Sequence, residues 1–442
     1  MTTLQDPNEL VPETQNIADV WATEGSSISH DTQARFKNLI STFKSTFNSL
    51  PTYVARSPGR VNIIGEHIDY SLYDVLPTAL SVDVLVAIKC KPVTGTKNPT
   101  TTVKLANTNS RFEYREFDVP YDKEIEIDAA SHDWSNYFNM DQAASIFSRR
   151  NYLLYTRFFP KFEVQHVPVP PSDLEFTFLV AQSFITSNKA ETGPRHYNLR
   201  VAECTLATVV LARLNGLVLP QDTTSLKYSF RTFHQELMRK KGELEQPMEY
   251  QLDTIISLVQ DQLTKEEGYT REEIAEILGI DVPALELQFL SSFPVEAERF
   301  KLRQRALHCF KEARRVLEFK ACLTRRERLG VKDVEYLGQL LDQSQASCRD
   351  LYNCSCDEVN NICQIARGAG ALGSRVTGAG WGGATVHMVP VAKIEAVKDA
   401  LKKDYYAKRF PGITEEKLAD AMIVSKPSNG SFLIYGKAIT EA

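Results

Sequence analysis

The sequence predicts an α+β chain folded as two lobes, on three observations. Strand-like patterns crowd the N-terminal half, residues from about 225 to 370 carry mostly helical periodicity, and the closing section reads as strand, helix, strand. The 442 residues, 43% of them apolar, suffice to bury a sizeable core in each of two bodies. The expected division is a loosely ordered lead-in over 1–30, polar and marked by Pro7 and Pro12, then an N-terminal lobe over 31–195 and a C-terminal lobe over 196–442.

Asp31 opens an apolar rhythm, Phe36, Leu39, Ile40, Phe43 and Phe47, with Ser41, Lys44 and Ser45 on the other side, which is a surface helix. Val54 to Ile64 and Val82 to Lys89 read as strands, followed by Thr101–Leu105 and Phe112–Val119. Leu174 to Ala181 is a dense strand. Tyr197 to Leu217 is a helix with Val201, Cys204, Ala207, Val210 and Leu211 on one apolar face. Further helices are expected over Ala297–Leu317, Val331–Asn353 and Asp357–Gly368, with a Lys/Glu-rich connector around 264–273. Strands over 384–390 and 431–436 flank a helix over 391–408.

Composition excludes several function classes. Net charge is −5, from 51 basic and 56 acidic residues spread along the chain, so neither a nucleic-acid footprint nor a patch for anionic membranes is expected. A small-molecule partner fits better. The N-terminus lacks a basic region followed by an apolar one, and no run is long enough to span a bilayer, which reads as a cytoplasmic protein. The eight cysteines form no disulfide framework, and the cluster Cys348, Cys354, Cys356, Cys363 lacks ligand pairs at zinc-finger spacing, so buried reduced thiols are expected and no metal site. No Walker-type phosphate loop occurs. Gly378 to Gly383 satisfies G-x-G-x-x-G, but it leads into a strand rather than a helix, which argues against a dinucleotide site.

The most informative stretch runs from Ala55 to Tyr70. An apolar strand, Val61, Ile63 and Ile64, breaks at Gly65 and presents Glu66, His67 and Asp69 within one tight turn, beside Arg60. Glycine tolerates the positive φ that such a turn needs. Carboxylates and an imidazole converging there suit the adjacent hydroxyls of a polyol; a solvated loop is the alternative. Asp141 precedes the small-residue run Gln142 to Ile146, where a helix N-cap is the reading from residue types alone.

Three motifs carry a resemblance to a known family. Pro58 to Tyr70, PGRVNIIGEHIDY, resembles the sugar-kinase signature of galactokinases, members of the GHMP small-molecule kinase superfamily. Gly373 to Ala384, GSRVTGAGWGGA, is similar to the superfamily's glycine-rich C-terminal motif, and Met140-Asp141-Gln142-Ala143-Ala144-Ser145 resembles the block carrying the family's catalytic aspartate. The resemblance runs from about residue 15 onward, in the style of fungal enzymes. It implies a two-lobed GHMP kinase fold with the active site in the cleft between lobes, and ATP- and Mg2+-dependent phosphorylation of α-D-galactose to α-D-galactose 1-phosphate, the first step of galactose catabolism. By the same resemblance Asp141 is the base for the anomeric hydroxyl and Arg60 its neighbour. Glu66, His67, Asp69 and Tyr197 bind the sugar, and Ser187, Asn188 and Lys189 lie near the nucleotide.

One family element has no counterpart. Galactokinases carry a Gly-Leu-Ser-Ser-Ser-Ala phosphate loop between a Trp-Ser-Asn-Tyr block and the Met-Asp-Gln block, whereas here Trp134-Ser135-Asn136-Tyr137-Phe138 is followed by Asn139 and then Met140-Asp141-Gln142. An internal deletion is therefore expected, leaving the N-terminal lobe incomplete and weakening the hold on ATP phosphates. Besides a monomeric enzyme, this leaves a catalytically silent galactose sensor acting on a transcriptional regulator as the alternative.

Overall fold

Alternation of buried and less buried side chains along Tyr53–Arg60, passing into four consecutively buried residues over Val61–Ile64, is what a strand shows when one stretch of it is covered on one face and the next on both. The computed structural model describes residues 11–22, 27–91, 100–120, 140–186 and 192–442. Its strands are β1 (Glu13–Thr14), β2 (Tyr53–Ile64), β3 (Leu76–Ile88), β4 (Thr100–Leu105), β5 (Arg115–Pro120), β6 (Tyr152–Arg157), β7 (Glu163–Pro168), β8 (Phe176–Gln182), β9 (Gly373–Thr377), β10 (Ala384–Pro390), β11 (Met422–Ser425) and β12 (Phe432–Tyr435). Two four-stranded sheets have the orders β1-β12-β2-β3 and β11-β8-β10-β9; β4–β5 and β6–β7 form antiparallel pairs.

The chain divides into two compact units, each discontinuous in sequence. The smaller gathers the described residues up to Arg60 with Ala79–Ser148 and Asn429–Ala442. Its core joins helices Ile17–Trp21 and His30–Phe47 to the sheet through Val20, Phe36, Ile40, Val54, Ile434 and Ile439. Under that layer the buried Arg56 guanidinium donates to Asp83 at 2.7 Å and to the Asn429 and Gly430 carbonyls at 2.6 and 2.7 Å. Asp83 also accepts from the Trp21 indole at 2.9 Å and pairs with Arg35, so its charge is well compensated.

The larger unit gathers Val61–Thr78 with Arg149–Ser428. One apolar cluster, including Leu179, Ala181, Val389, Ile362, Ala366, Val397, Leu401 and Leu418, seals the β11-β8-β10-β9 sheet against helices Asp357–Gly368, Ile394–Leu401 and Glu415–Ala421. A helical layer is built on the long helix Leu302–Thr324, which packs on helices Met248–Gln262, Tyr197–Leu214 and Val331–Ser347.

Helix Asp357–Gly368 and strand Ala384–Pro390 have the expected bounds, and His30–Phe47 begins one residue before Asp31. Other elements differ for physical reasons. The two strands expected to flank the 391–408 helix lie in different sheets: Met422–Ser425 joins the sheet of β10 beside β8, whereas Phe432–Tyr435 runs antiparallel to Tyr53–Arg56 because Ile434 is buried beside Val54. The long helix starts at Leu302 rather than Ala297, since Phe300 exchanges backbone hydrogen bonds with Tyr269 and the Lys301 N–H is taken by Glu203 Oε1 at 2.7 Å. The helix from Val331 ends in a π turn, Cys348–Tyr352, and the 391–408 stretch breaks into 3₁₀, α and π segments. The Lys/Glu-rich connector contains a helix start, Thr270 and Glu273 forming a reciprocal capping box. Within the expected lead-in, Asn16 caps an ordered helix over Ile17–Trp21. The contiguous division at 195/196 does not describe units assembled from interleaved segments.

Helix Val331–Ser347 reaches β9 through two glycines. A Cβ on Gly338 would overlap the Leu372 carbonyl, and one on Gly373 the Gly338 carbonyl. Gly338→Ala gains about 1 kcal/mol in helix propensity, but the clash is with backbone that cannot rotate away, and such overpacking costs about 1–3 kcal/mol. We expect a net loss of up to about 2 kcal/mol, read as a lower urea midpoint. An unchanged midpoint means the two elements have room to separate.

Candidate active site

Gly65 adopts φ +107°, and a Cβ there would meet Val75 Cγ1 at 2.9 Å and Val316 Cγ2 at 3.1 Å, so only glycine fits the break after β2. The two amides that the turn leaves without strand partners find one acceptor. Glu312 Oε1, on the helix Leu302–Thr324, takes Gly65 N–H at 3.0 Å and Glu66 N–H at 3.3 Å, and also the Ser344 hydroxyl at 2.7 Å. Four residues earlier on the same helix, His308 Nε2 lies 3.0 Å from the Glu66 carbonyl. A carbonyl only accepts, so Nε2 carries the proton and Nδ1 takes the Ser347 hydroxyl at 2.9 Å.

The second tether is Arg375 on β9, buried at 0% exposure. Its guanidinium donates to the Asn62 and Ile63 carbonyls at 3.2 and 2.9 Å and is ion-paired with the Glu66 carboxylate, while Thr377 Oγ1 donates to the Asn62 carbonyl at 3.1 Å. Burial pushes the Glu66 carboxyl up to about 7, against the pull of Arg375. Burial acts the same way on Glu312, but Arg315, Arg375, His308 and the Ser344 hydroxyl outweigh it and hold that carboxyl down at about 2. Arg375 stays charged: its own burial is outweighed by Glu66, raising it above the usual guanidinium range.

His67, at φ +60°, stands in an aromatic cage. Its ring lies 5.0 Å from Tyr352, 5.6 Å from Trp381, 6.0 Å from Tyr70 and 6.2 Å from Tyr197, and Nδ1 meets the Tyr70 hydroxyl at 3.2 Å. That hydroxyl bonds in turn to the Tyr352 hydroxyl. Burial, with His308 nearby, pushes His67 down to about 3, so the ring is neutral. Above it the glycine-rich loop between β9 and β10 folds back with Gly378, Gly380, Gly382 and Gly383 all at positive φ; a Cβ on Gly382 would come 2.5 Å from the Ile185 carbonyl. Trp381 stacks on His196 at 4.7 Å with 3° between the planes. A cavity of about 260 Å³ opens here, lined among others by Thr186, Thr192, Tyr197, Thr377 and Trp381.

Of the residues singled out in the sequence, the structure brings the His67 ring against Tyr197, which lines this cavity, and turns Glu66 to Arg375. Asp69 opens the 3₁₀ turn Asp69–Ser71, and Arg60 is half-buried on β2. Asp141 stands inside helix Met140–Phe147, one residue past its start, rather than at its N-cap. Its side chain and Ser187, Asn188 and Lys189 lie outside the described residues, as does the Trp134–Asn139 junction. Sequence reasoning missed Glu312, His308, Tyr352 and His196. A signal existed for two of them: His308 and Glu312, at i and i+4, fall on the stripe of Ala306, Cys309, Phe310, Ala313 and Val316, where a buried polar pair needs a buried partner.

Comparison with known proteins shows the family and the fold. A profile of the galactokinase galactose-binding signature matches residues 41–90, and one of the GHMP kinase C-terminal region matches 319–407. Galactokinase of Saccharomyces cerevisiae is 33% identical over 501 aligned positions, covering 90% of this chain and 94% of that protein. The chain belongs to the galactokinase family. Galactokinase of Schizosaccharomyces pombe is 30% identical over 509 positions, covering 91% and 96%. The crystal structure of Lactococcus lactis galactokinase complexed with galactose superposes with a TM-score of 0.55 at 18% identity, over 90% of this chain and 99% of that one, which gives the α+β GHMP kinase fold.

In this galactokinase-family chain six of the eight thiols are buried, Cys356 is half-buried and Cys90 exposed. Among the described residues no cluster of His, Cys, Asp and Glu could hold a metal ion, and no helix is long and apolar enough to cross a membrane.

Four buried histidines of the larger unit govern its response to acid. Burial is the main cause in each: it pushes His67, His234 and His387 down to about 3 and His308 to about 4. Between pH 6.5 and about 4 the unfolded chain protonates these rings and the folded chain does not, so stability falls as pH falls. Glu66, and Asp74, also raised mainly by burial, work in the opposite sense, because the folded state keeps their protons longer. The four rings outnumber the two carboxyls, so on balance unfolding takes up protons. Urea midpoints should drop between pH 7 and pH 5; a flat profile means these rings ionise inside the fold.

Proposed function

We propose that the chain transfers the γ-phosphoryl group of MgATP to the anomeric hydroxyl of α-D-galactose. The carrying observation is the cavity lined by Tyr197 and Trp381, both of which contact the ring of His67 on the turn that the galactose-binding signature covers. The galactose O1 forms a bond to the γ-phosphorus, the bond from that phosphorus to the β–γ bridging oxygen breaks, and ADP leaves. Asp141 takes the hydroxyl proton, and the Arg60 guanidinium keeps that carboxylate ionised and offsets charge on the moving phosphoryl group. Asp69, His67, Glu66 and Tyr197 orient the sugar; Ser187, Asn188 and Lys189 serve the nucleotide. The active species is a monomer.

The same reading holds that residues around the phosphate loop are missing. Its support is that the alignments with the yeast and fission-yeast relatives, 501 and 509 positions, are longer than this 442-residue chain and so contain gaps on its side. Loss of a helix N-terminus that cradles phosphate weakens ATP more than sugar. This favours, as a second reading, a galactose sensor that binds without turnover and contacts a transcriptional regulator.

Calorimetry with galactose, with and without ATP, and an ADP-release assay separate the two: turnover supports the kinase, and galactose binding without turnover the sensor. Asp141→Ala should abolish turnover and leave sugar binding measurable; undiminished turnover removes its role as base. Asp69→Ala should weaken galactose binding about tenfold or more, as expected for losing a charged hydrogen bond, and unaltered sugar affinity would contradict its assignment.

A further inference from the structure

We infer that Glu312 is a positioning residue for galactose: without touching the sugar, it sets the backbone of Gly65–His67 and thereby the placement of His67 and Asp69. The inference rests on the reading of that turn as the sugar site. Its basis is that both ends of one peptide segment are tied to one helix. Glu312 Oε1 takes the Gly65 and Glu66 N–H groups, and His308, one helical turn away, donates to the Glu66 carbonyl. The segment so held contains two residues at positive φ, Gly65 at +107° and His67 at +60°. A side chain in the left-handed region persists where its surroundings over-determine it, and here the fixing atoms are a carboxylate and an imidazole more than 240 residues downstream.

The carboxylate is needed as such. Oε1 accepts the two amides and the Ser344 hydroxyl at 2.7 Å, while Oε2 accepts from Arg315 Nε at 2.8 Å and is ion-paired with the same guanidinium. Every neighbour is a donor. A glutamine of the same shape presents an NH₂ either to the two amides or to Arg315, and donor meets donor in both orientations. An aspartate falls short by one methylene. Ser344, on helix Val331–Ser347, contributes one hydrogen bond to the same oxygen and carries no charge, so its removal perturbs the clamp mildly.

The test uses the full chain as wild type, Glu312→Gln and Ser344→Ala. Calorimetry reads galactose affinity, initial rates read KM for galactose and for ATP, and hydrogen exchange of the 61–70 peptide reads the turn itself. Glu312→Gln should raise the galactose Kd and KM about tenfold or more, leave the KM for ATP unchanged and speed exchange of the peptide. Ser344→Ala should shift both galactose constants in the same direction by about two- to fivefold with the fold intact, and it decides the matter if Glu312→Gln does not fold. Wild-type galactose affinity in a folded variant overturns the inference, as does an equal loss for both substrates. Should wild-type protein bind no galactose, the sugar-site reading falls, and exchange alone then decides: unchanged protection of 61–70 in the variants ends the positioning role too.

Discussion

Everything at the candidate site hangs on one buried guanidinium. Arg375 has no exposure to water, and its charge is answered by the Glu66 carboxylate, by two carbonyls at the end of β2 and, at longer range, by Glu312. Taking such ions out of water costs several kcal/mol each, and removing one partner leaves an uncompensated charge worth about 3–5 kcal/mol. The arrangement therefore cannot relax piecemeal. The strand carrying the glycine-rich loop, the turn after β2 and the helix Leu302–Thr324 hold their positions together or not at all.

That coupling explains why a neutral histidine can stand in the cage. His67 is surrounded by phenols and an indole, and its Nδ1 has a hydroxyl partner, so the ring is fixed in direction. A sugar presents hydroxyls that both donate and accept, and neutral groups of fixed direction discriminate among them better than mobile charges in water. The stacked pair His196 and Trp381 adds an apolar wall to the cavity.

Much of this was legible in sequence, for local reasons. The amphipathic rhythm of His30–Phe47 and Asp357–Gly368 and the apolar run of Ala384–Pro390 are decided within a few residues, so periodicity sufficed. Gly65 announced its turn because no other residue fits there. What sequence could not show depends on distant partners. Nothing in Phe432–Tyr435 says that it belongs beside β2 rather than β10, and Phe300 gives no sign that its backbone will be claimed by Tyr269. Glu312 and Arg375 look like surface charges until both are seen under the turn; only the helical stripe into which Glu312 falls hinted otherwise. Tyr352, in a π turn, met His67 through a fold that no local pattern encodes.

The interleaved ancestry of the smaller unit bears on how the protein is made. Strand β12 lies between β1 and β2, yet it is supplied by residues far downstream of both. While the chain is emerging from a ribosome, Val54, Phe36 and Ile40 are synthesised long before Ile434 arrives to cover them. Closure of so long a loop is slow, and apolar strands waiting for a late partner invite the wrong one. Synthesis order thus imposes a delay during which that sheet lacks one of its inner strands, and the unit closes only once its latest-made segment is in place.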